Sequence, residues 1–310
     1  MNLLDFEYLE NNLDTKNLYG SDSCIANLFL LQEKYNTQLK IHKNILFRYY
    51  TGDENNTGYG FPIPLKSTGL ENNDKWLKEA IEFILADSSS MKRSPSFCFI
   101  TKNQRELLDS CLEKYNFNYH ITWKTNAGDY DYVYLQQNLS ELQGSQFQKK
   151  RNHISRFYRT YENSWIYKAF PDNDIASDFL RVADRWFFEK NDLQNHALQL
   201  ERQAIELAIK HAKELHITGG ILYINNEPIA MTLASPISSN VLDVIYEKCT
   251  KEHEQNGAYA MINQQFAKTC KLYRYINREE DLGIPGLRKA KLSYKPEIIL
   301  EKWYGEITKD

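Results

Sequence analysis

The sequence predicts a mixed α/β chain made of two like units in tandem, each a mixed sheet flanked by helices. Three observations lead there. Both halves run hairpin, strand, helix, strand in the same order, although no residue-level repeat is visible. Helical and strand periodicities alternate along the chain instead of segregating into blocks. At 310 residues the chain is too long for one small core and fits two domains of about 150 residues.

In order, "QLKIHKN" and "ILFRYYTG" read as strands joined by a tight turn, and "TGYGFPIPL" as a third strand. "NDKWLKEAIEFILADS" repeats its apolar residues at helical spacing: Trp76, Leu77, Ala80, Ile81, Phe83, Ile84 and Leu85. Strand "SFCFIT", helix "NQRELLDSCLEKY" and strands "FNYHITWK" and "DYVYL" complete the first half. The polar stretch "NLSELQGSQ" marks the boundary, dividing the chain into 1–144 and 145–310. Three helices are expected near 146–160, 175–190 and 198–213. A hairpin then turns at Asn225-Asn226 between "HITGGILYIN" and "EPIAMTLASPI". Strand "NVLDVIYEKC", helix "NGAYAMINQQFAKTCKL" and strands "YRYIN" and "IILEKWY" follow.

Composition excludes several classes. Apolar residues make up 42% and charged residues 25%, which is globular and not disordered. Residues 1–145 carry 14 basic and 19 acidic side chains, and the remainder 24 and 22, so neither half offers a general surface for DNA. The five cysteines form no CxxC pair and are odd in number, which argues against a disulfide framework or a zinc site; no metal is expected. "MNLLDFEYLE" lacks the features of a signal peptide, and no apolar run approaches the ~20 residues of a membrane span. A cytoplasmic location is expected.

Three segments could carry chemistry. In "QKKRNHISRFYR", Lys149, Asn152, His153, Arg156 and Arg159 share one helical face, and Phe147, Ile154, Phe157 and Tyr161 share the other. The basic face is either solvated or a phosphate holder, with Arg151 beside it. Next, strand 241–248 ends in a polar loop and a helix start at Gln255, Asn256, Gly257 and Ala258. That is either an ordinary cap or a pyrophosphate site. Glu247 stands at the strand's C-terminal end, where α/β sheets open towards ligand. Asp243 is placed on the same face as Glu247, with Ile245 between them. The third segment is "YINREEDLGIPGLRKAKLSYKP", a strand leading into Asn277, Arg278, Glu279, Glu280 and Asp281, then Gly283, Pro285 and Gly286. Pro285 is positioned to start a helix. A parallel, right-handed crossover from strand 241–248 brings Asn277, Glu279 and Asp281 to the cleft that Glu247 faces. Crowded carboxylates there would raise one pKa for proton transfer, unless the cluster is a charged loop that caps the following helix and pairs with its basic residues on the surface. Arg288, Lys289 and Lys291 could offset the repulsion or hold an acidic group of the substrate.

"RNHISRF", "YEKCTKEHEQNGAYAMINQQFA" and "YINREEDLGIPGLRKAKLSYKP" together resemble the bacterial family related to the C-terminal domain of phosphatidylglycerol lysyltransferase, most strongly over 146–304. That group is similar to the GNAT acyltransferases and to Fem-type aminoacyltransferases, which carry two GNAT-like units. The resemblance implies tandem GNAT-like units, with the active site in the second. It implies transfer of an acyl or aminoacyl group to an amine or hydroxyl of a small or lipid-like acceptor. The donor would be a coenzyme A thioester or an aminoacyl-tRNA. Glu247, Asn277, Glu279, Asp281 and Tyr294 are the candidate catalytic residues. Lys149, Arg151, Arg156 and the 255–258 loop would hold the donor; Arg278, Arg288, Lys289 and Lys291 would hold substrate. "EHEQNGA" departs from the coenzyme A loop pattern, Gln/Arg-x-x-Gly-x-Gly/Ala, in having one glycine. An aminoacyl-tRNA donor requires a basic path from Lys149–Arg159 to the site. A non-catalytic binding module on the same scaffold would have Glu247 and Glu279 pointing away from any pocket.

Overall fold

The computed structural model describes residues 3–310 except 14, 16, 17, 53–56, 66–74, 191 and 193. It opens with helices α1 (Leu3–Asn12), α2 (Ile25–Leu30) and α3 (Gln32–Tyr35). Periodicity does not reveal α2 because nearly every side is buried, so no polar stripe interrupts it. The expected hairpin follows as β1 (Gln38–His42) and β2 (Ile45–Tyr50). Lys43 and Asn44 both take positive φ, the conformation that suits a two-residue turn to strand twist. "TGYGFPIPL" gives two short strands, β3 (Gly58–Tyr59) and β4 (Ile63–Pro64), because Pro62 and Pro64 cannot donate to a ladder. Next come α4 (Lys75–Ser90), β5 (Ser96–Thr101), α5 (Lys102–Lys114), β6 (Tyr119–Thr125) and β7 (Asp131–Leu135). The two residues expected to begin α4, 73 and 74, lie outside the described residues.

α6 (Gln136–Glu141) closes the first half, and the second half opens with α7 (Gln148–Tyr161), β8 (Trp165–Phe170), α8 (Ala176–Glu189) and α9 (His196–Lys210). It continues through β9 (Thr218–Ile224), β10 (Glu227–Pro236), β11 (Val241–Cys249), α10 (Lys251–Glu254) and α11 (Ala258–Thr269). It closes with β12 (Tyr275–Asn277), α12 (Pro285–Leu292), β13 (Ile298–Leu300) and β14 (Lys302–Lys309).

Two mixed sheets result, each flanked by helices. The first runs β1-β2-β3-β5-β14-β6, with β4 also on β2; the second runs β13-β7-β12-β11-β10-β9-β8. The units are interlocked. β7, from the first half, lies between β13 and β12 of the second sheet, while the C-terminal β14 lies between β5 and β6 of the first. The single strand expected at "IILEKWY" therefore breaks at Glu301 and serves both sheets. The N-terminal helices cross over too. Phe6, Leu9, Leu13, Ile25 and Leu30 pack with Phe179, Ile205 and Ile245 on one face of the second sheet. Its other face is covered by α7 and α11 through Phe157, Met261 and Phe266. Each sheet thus draws a strand from across the 144/145 position.

Candidate active site

β11 and β12 form the parallel pair that frames the site. Their register ends at Asp243 against Asn277, yet β11 continues to Cys249 while the chain leaves β12 at Arg278. The sheet splays there, and the segments Val244–Lys248 and Arg278–Glu280 line the resulting opening. A β-bulge sharpens it. The β10–β11 register pairs Ala234 with Val244 but Leu233 with Tyr246, leaving Ile245 as the extra residue. Strict alternation put Asp243 and Glu247 on one face. The bulge separates them: Asp243 meets Asn27 of α2, whereas Glu247 meets Asn263 of α11.

The opening belongs to a cavity of about 1680 Å³ walled by α2, α3 and α9 on one side and α7 and α12 on the other. One part of its wall is cationic. Arg278 Nη2 donates to Glu247 Oε1 at 2.7 Å, and Asn263 Nδ2 donates to Glu247 Oε2 at 3.2 Å. The Arg278 Nε and Nη1 groups are buried and find no protein partner among the described residues. Lys150 Nζ lies 3.7 Å from the Tyr294 ring centroid, and the Arg278 guanidinium 4.9 Å from it. Burial and the neighbouring Arg278 charge push the Lys150 pKa down to about 8. An anion entering beside them would meet unused N–H donors and restore the Lys150 charge.

The other part is acidic. Asn27 Nδ2 donates to Asp243 Oδ2 at 2.9 Å and to Glu279 Oε1 at 3.1 Å, so one amide bridges two carboxyl groups. Burial, then Glu280 and Asp131, push the Glu279 pKa up to about 8. Burial and the Glu279 charge hold Asp243 well above the usual carboxylate range. Beneath them Asp131 accepts from Ser21 N at 2.7 Å and Asn277 Nδ2 at 2.9 Å, and pairs with Lys302 at 2.6 Å. Asp131 and Lys302 come from the two exchanged strands, so the strand exchange supports the cavity floor.

This arrangement can hold an anionic or carbonyl oxygen at Arg278 and move a proton at Glu279. The family profile for the C-terminal region of phosphatidylglycerol lysyltransferase matches residues 14–305. The chain belongs to the phosphatidylglycerol lysyltransferase C-terminal family. A conserved protein of unknown function from Bacteroides thetaiotaomicron is 32% identical, with a TM-score of 0.87 over 99% of this chain and 98% of that one. The C-terminal domain of a putative lysylphosphatidylglycerol synthetase from Agrobacterium fabrum shares the fold at 12% identity, with a TM-score of 0.60 over 90% and 87% of the two chains. An uncharacterised protein of Mycoplasmoides gallisepticum is 22% identical over 242 residues, 72% of this chain and 75% of that protein. The family is of an acyltransferase or aminoacyltransferase kind. Among the described residues no helix is long and apolar enough to cross a membrane.

Of the candidate catalytic residues, Glu247, Glu279 and Tyr294 line the cavity. Glu247 is committed to Arg278 and Asn263, so it orients the guanidinium. The rise in the Glu279 pKa comes from burial, Glu280 and Asp131, and Glu247 is not among its causes. Asn277 is buried outside the cavity lining. Its Nδ2 serves Asp131 and the Tyr19 carbonyl, and its Oδ1 accepts from Glu279 N at 2.7 Å. Asp281 is also buried and away from the lining; it accepts from Tyr132 OH at 2.5 Å and from Arg288 at 2.7 and 3.0 Å. Burial alone would raise its pKa, but the hydrogen bonds from Arg288 and Tyr132 outweigh that and leave it lowered.

The remaining candidates divide similarly. Arg278 and Lys291 line the cavity, with Lys291 Nζ donating to the Arg278 and Glu279 carbonyls. Arg288 is the latch on Asp281, and Lys289 is exposed. Lys149 is exposed, while Arg151 caps the preceding loop through the Leu142 and Gly144 carbonyls. Arg156 donates to the Gln255 carbonyl, Asn256 donates to Tyr161 OH, and Ala258 is in the core. Gly257 lines the cavity at φ 90°, and a Cβ there would lie 2.2 Å from the His153 carbonyl oxygen. A bulky residue at 257 would therefore disturb the packing of α7 on α11 as well as the site. The residues missed from sequence are Asn27, Lys150, Asp131 and Lys302. Lys150 was passed over because Lys149 and Arg151 flank it; the helical spacing of the apolar Phe147, Ile154 and Phe157 could have singled it out as half-buried.

Proposed function

We propose that this protein transfers an acyl or aminoacyl group to an amine or hydroxyl of a small or lipid-like acceptor held in the central cavity. The observation that carries this reading is the placement of a proton-accepting carboxyl, Glu279, in the same cavity as Arg278, whose Nε and Nη1 are uncommitted. The acceptor nucleophile attacks the donor's acyl carbon and gives its proton to Glu279. Arg278 holds the developing oxyanion, with its position fixed by Glu247. The carbon–oxygen or carbon–sulfur bond to the donor breaks, and the proton passes to the leaving group. Lys150 and Tyr294 hold an anionic portion of donor or acceptor.

An aminoacyl-tRNA is the donor that the surface favours. α7 has no acidic residue, and Lys149, Arg156 and Arg159 stand exposed along it while Lys150 and His153 reach the cavity. These side chains support a basic path for a tRNA backbone. A coenzyme A thioester would instead use the Gln255–Ala258 loop, where the Gln255 carbonyl already accepts from Arg156.

Ligand-induced stabilisation tests the reading. A saturating ligand at 100 times its dissociation constant raises stability by ~2.7 kcal/mol. Charged tRNA is expected to raise Tm in low salt, with the gain reduced by added salt and by Arg156→Ala with Arg159→Ala. A Tm gain from acyl-coenzyme A alone would reverse the donor assignment. No response to either donor would contradict the transferase reading.

A further inference from the structure

Residues 282–287, "LGIPGL", are six consecutive exposed residues without a polar side chain. Leu282 is 61% exposed, Ile284 51% and Leu287 37%. Such a run is unusual on a soluble surface unless something covers it. Nothing in the packing demands it. Gly283 is needed for its φ of 71°, but a Cβ at Gly286 would meet nothing, and a glycine in the first helical turn weakens the helix. The segment is nonetheless held in place. Leu282 N donates to the Gly128 carbonyl, Gly283 N to Asp281 Oδ1 and Ile284 N to the Asp281 carbonyl, all at 2.9 Å. The Arg288–Asp281 latch fixes the base of α12. The apolar side chains are thus held outward by a rigid tip.

The tip is also a lip of the cavity, since Leu282, Ile284 and Leu287 line it; Trp186 and Lys190 line it from α8. From 282 to 296 there is no acid, and Lys289 remains in solvent about one helical turn from the tip. Apolar and aromatic side chains flanked by lysines match a membrane interface.

We propose that the 282–287 tip docks on an anionic phospholipid bilayer and seats the cavity mouth among the headgroups. This rests on the reading of a lipid-like acceptor, which would then enter without crossing water. A second copy of the chain is a poorer occupant, because self-docking of the tips would bring the two Lys289 charges together. A nucleic acid gains nothing from three exposed aliphatic side chains.

The test is co-sedimentation with vesicles of phosphatidylcholine alone or mixed with phosphatidylglycerol, without any donor. The protein is expected to bind the phosphatidylglycerol vesicles more strongly, and less so in high salt. Ile284→Glu and Leu287→Glu are each expected to weaken partitioning by roughly tenfold or more. Because both positions are exposed, an unchanged Tm is the check on folding. The proposal is overturned if wild type stays in the supernatant or if both variants bind like wild type. It is equally overturned if the variants instead dissociate a dimer seen by analytical ultracentrifugation. Transfer to a water-soluble acceptor without vesicle binding would overturn the docking and leave the transferase reading standing. Vesicle binding without transfer to any acceptor would do the reverse.

Discussion

Glu279 has a left-handed backbone, φ 54°, which an L-residue adopts only when its surroundings impose it. Here Asn277 Oδ1 holds its amide and Lys291 its carbonyl, so the side chain is aimed by neighbours on both sides. Two predictions follow from its charge. Glu279→Gln keeps the shape but loses the proton acceptor, so turnover should fall by about 10²–10⁴-fold with donor binding retained, as single-turnover kinetics would show. In wild type the rate should rise with pH through about 8, because the base form of Glu279 is the active one. Stability should run the other way. A carboxyl whose pKa is raised in the fold contributes most when protonated, and that contribution is lost as pH rises through the folded value of about 8. Asp243→Asn removes one of the two like charges, so its Tm should fall less than wild type's across that range. An equal fall in both proteins would show that the pair does not govern the loss of stability between pH about 4.5 and about 8. At this scale the place of Glu247, Arg278 and Glu279 at strand ends beside the cavity was legible in the sequence. The sequence could not reveal Asn27 or Lys302, because both arrive from segments distant in the chain.

Among the elements, the approach of α7 to the start of α11 turns on Gly257. A side chain there combines a left-handed φ with a 2.2 Å clash against the His153 carbonyl. Gly257→Ala should cost more than about 2 kcal/mol in urea unfolding. Gly286→Ala should be neutral or stabilising by up to about 1 kcal/mol, since open space surrounds it. Matching losses at the two positions would mean that the close helix contact is not what requires Gly257. Elements with local punctuation were legible: the hairpins at Lys43-Asn44 and Asn225-Asn226, and α12 beginning at Pro285. The break between β13 and β14 was not, because no glycine or proline interrupts "IILEKWY". The bulge at Ile245 was equally hidden, since cross-strand register is set by tertiary pairing. That one residue decided which face Glu247 occupies.

Over the whole molecule, the exchange of β7 and β14 makes each sheet depend on the other half of the chain. Fragments 1–144 and 145–310 each lack a strand of their sheet, and the second also lacks the α1–α3 cover on its core. Expressed apart, neither should unfold cooperatively by near-UV circular dichroism; two independent cooperative transitions would mean that the units are self-sufficient. The same interlock builds the cavity, whose walls come from α2 and α3 as well as from β11, α7 and α12. The most direct test of the account follows label from charged tRNA or acyl-coenzyme A into amine-bearing and lipid acceptors, with wild type and Glu279→Gln compared. The account predicts label in an acceptor with wild type and a loss of about 10²-fold or more in the variant. Full transfer by Glu279→Gln, or no transfer by wild type from either donor, would contradict it.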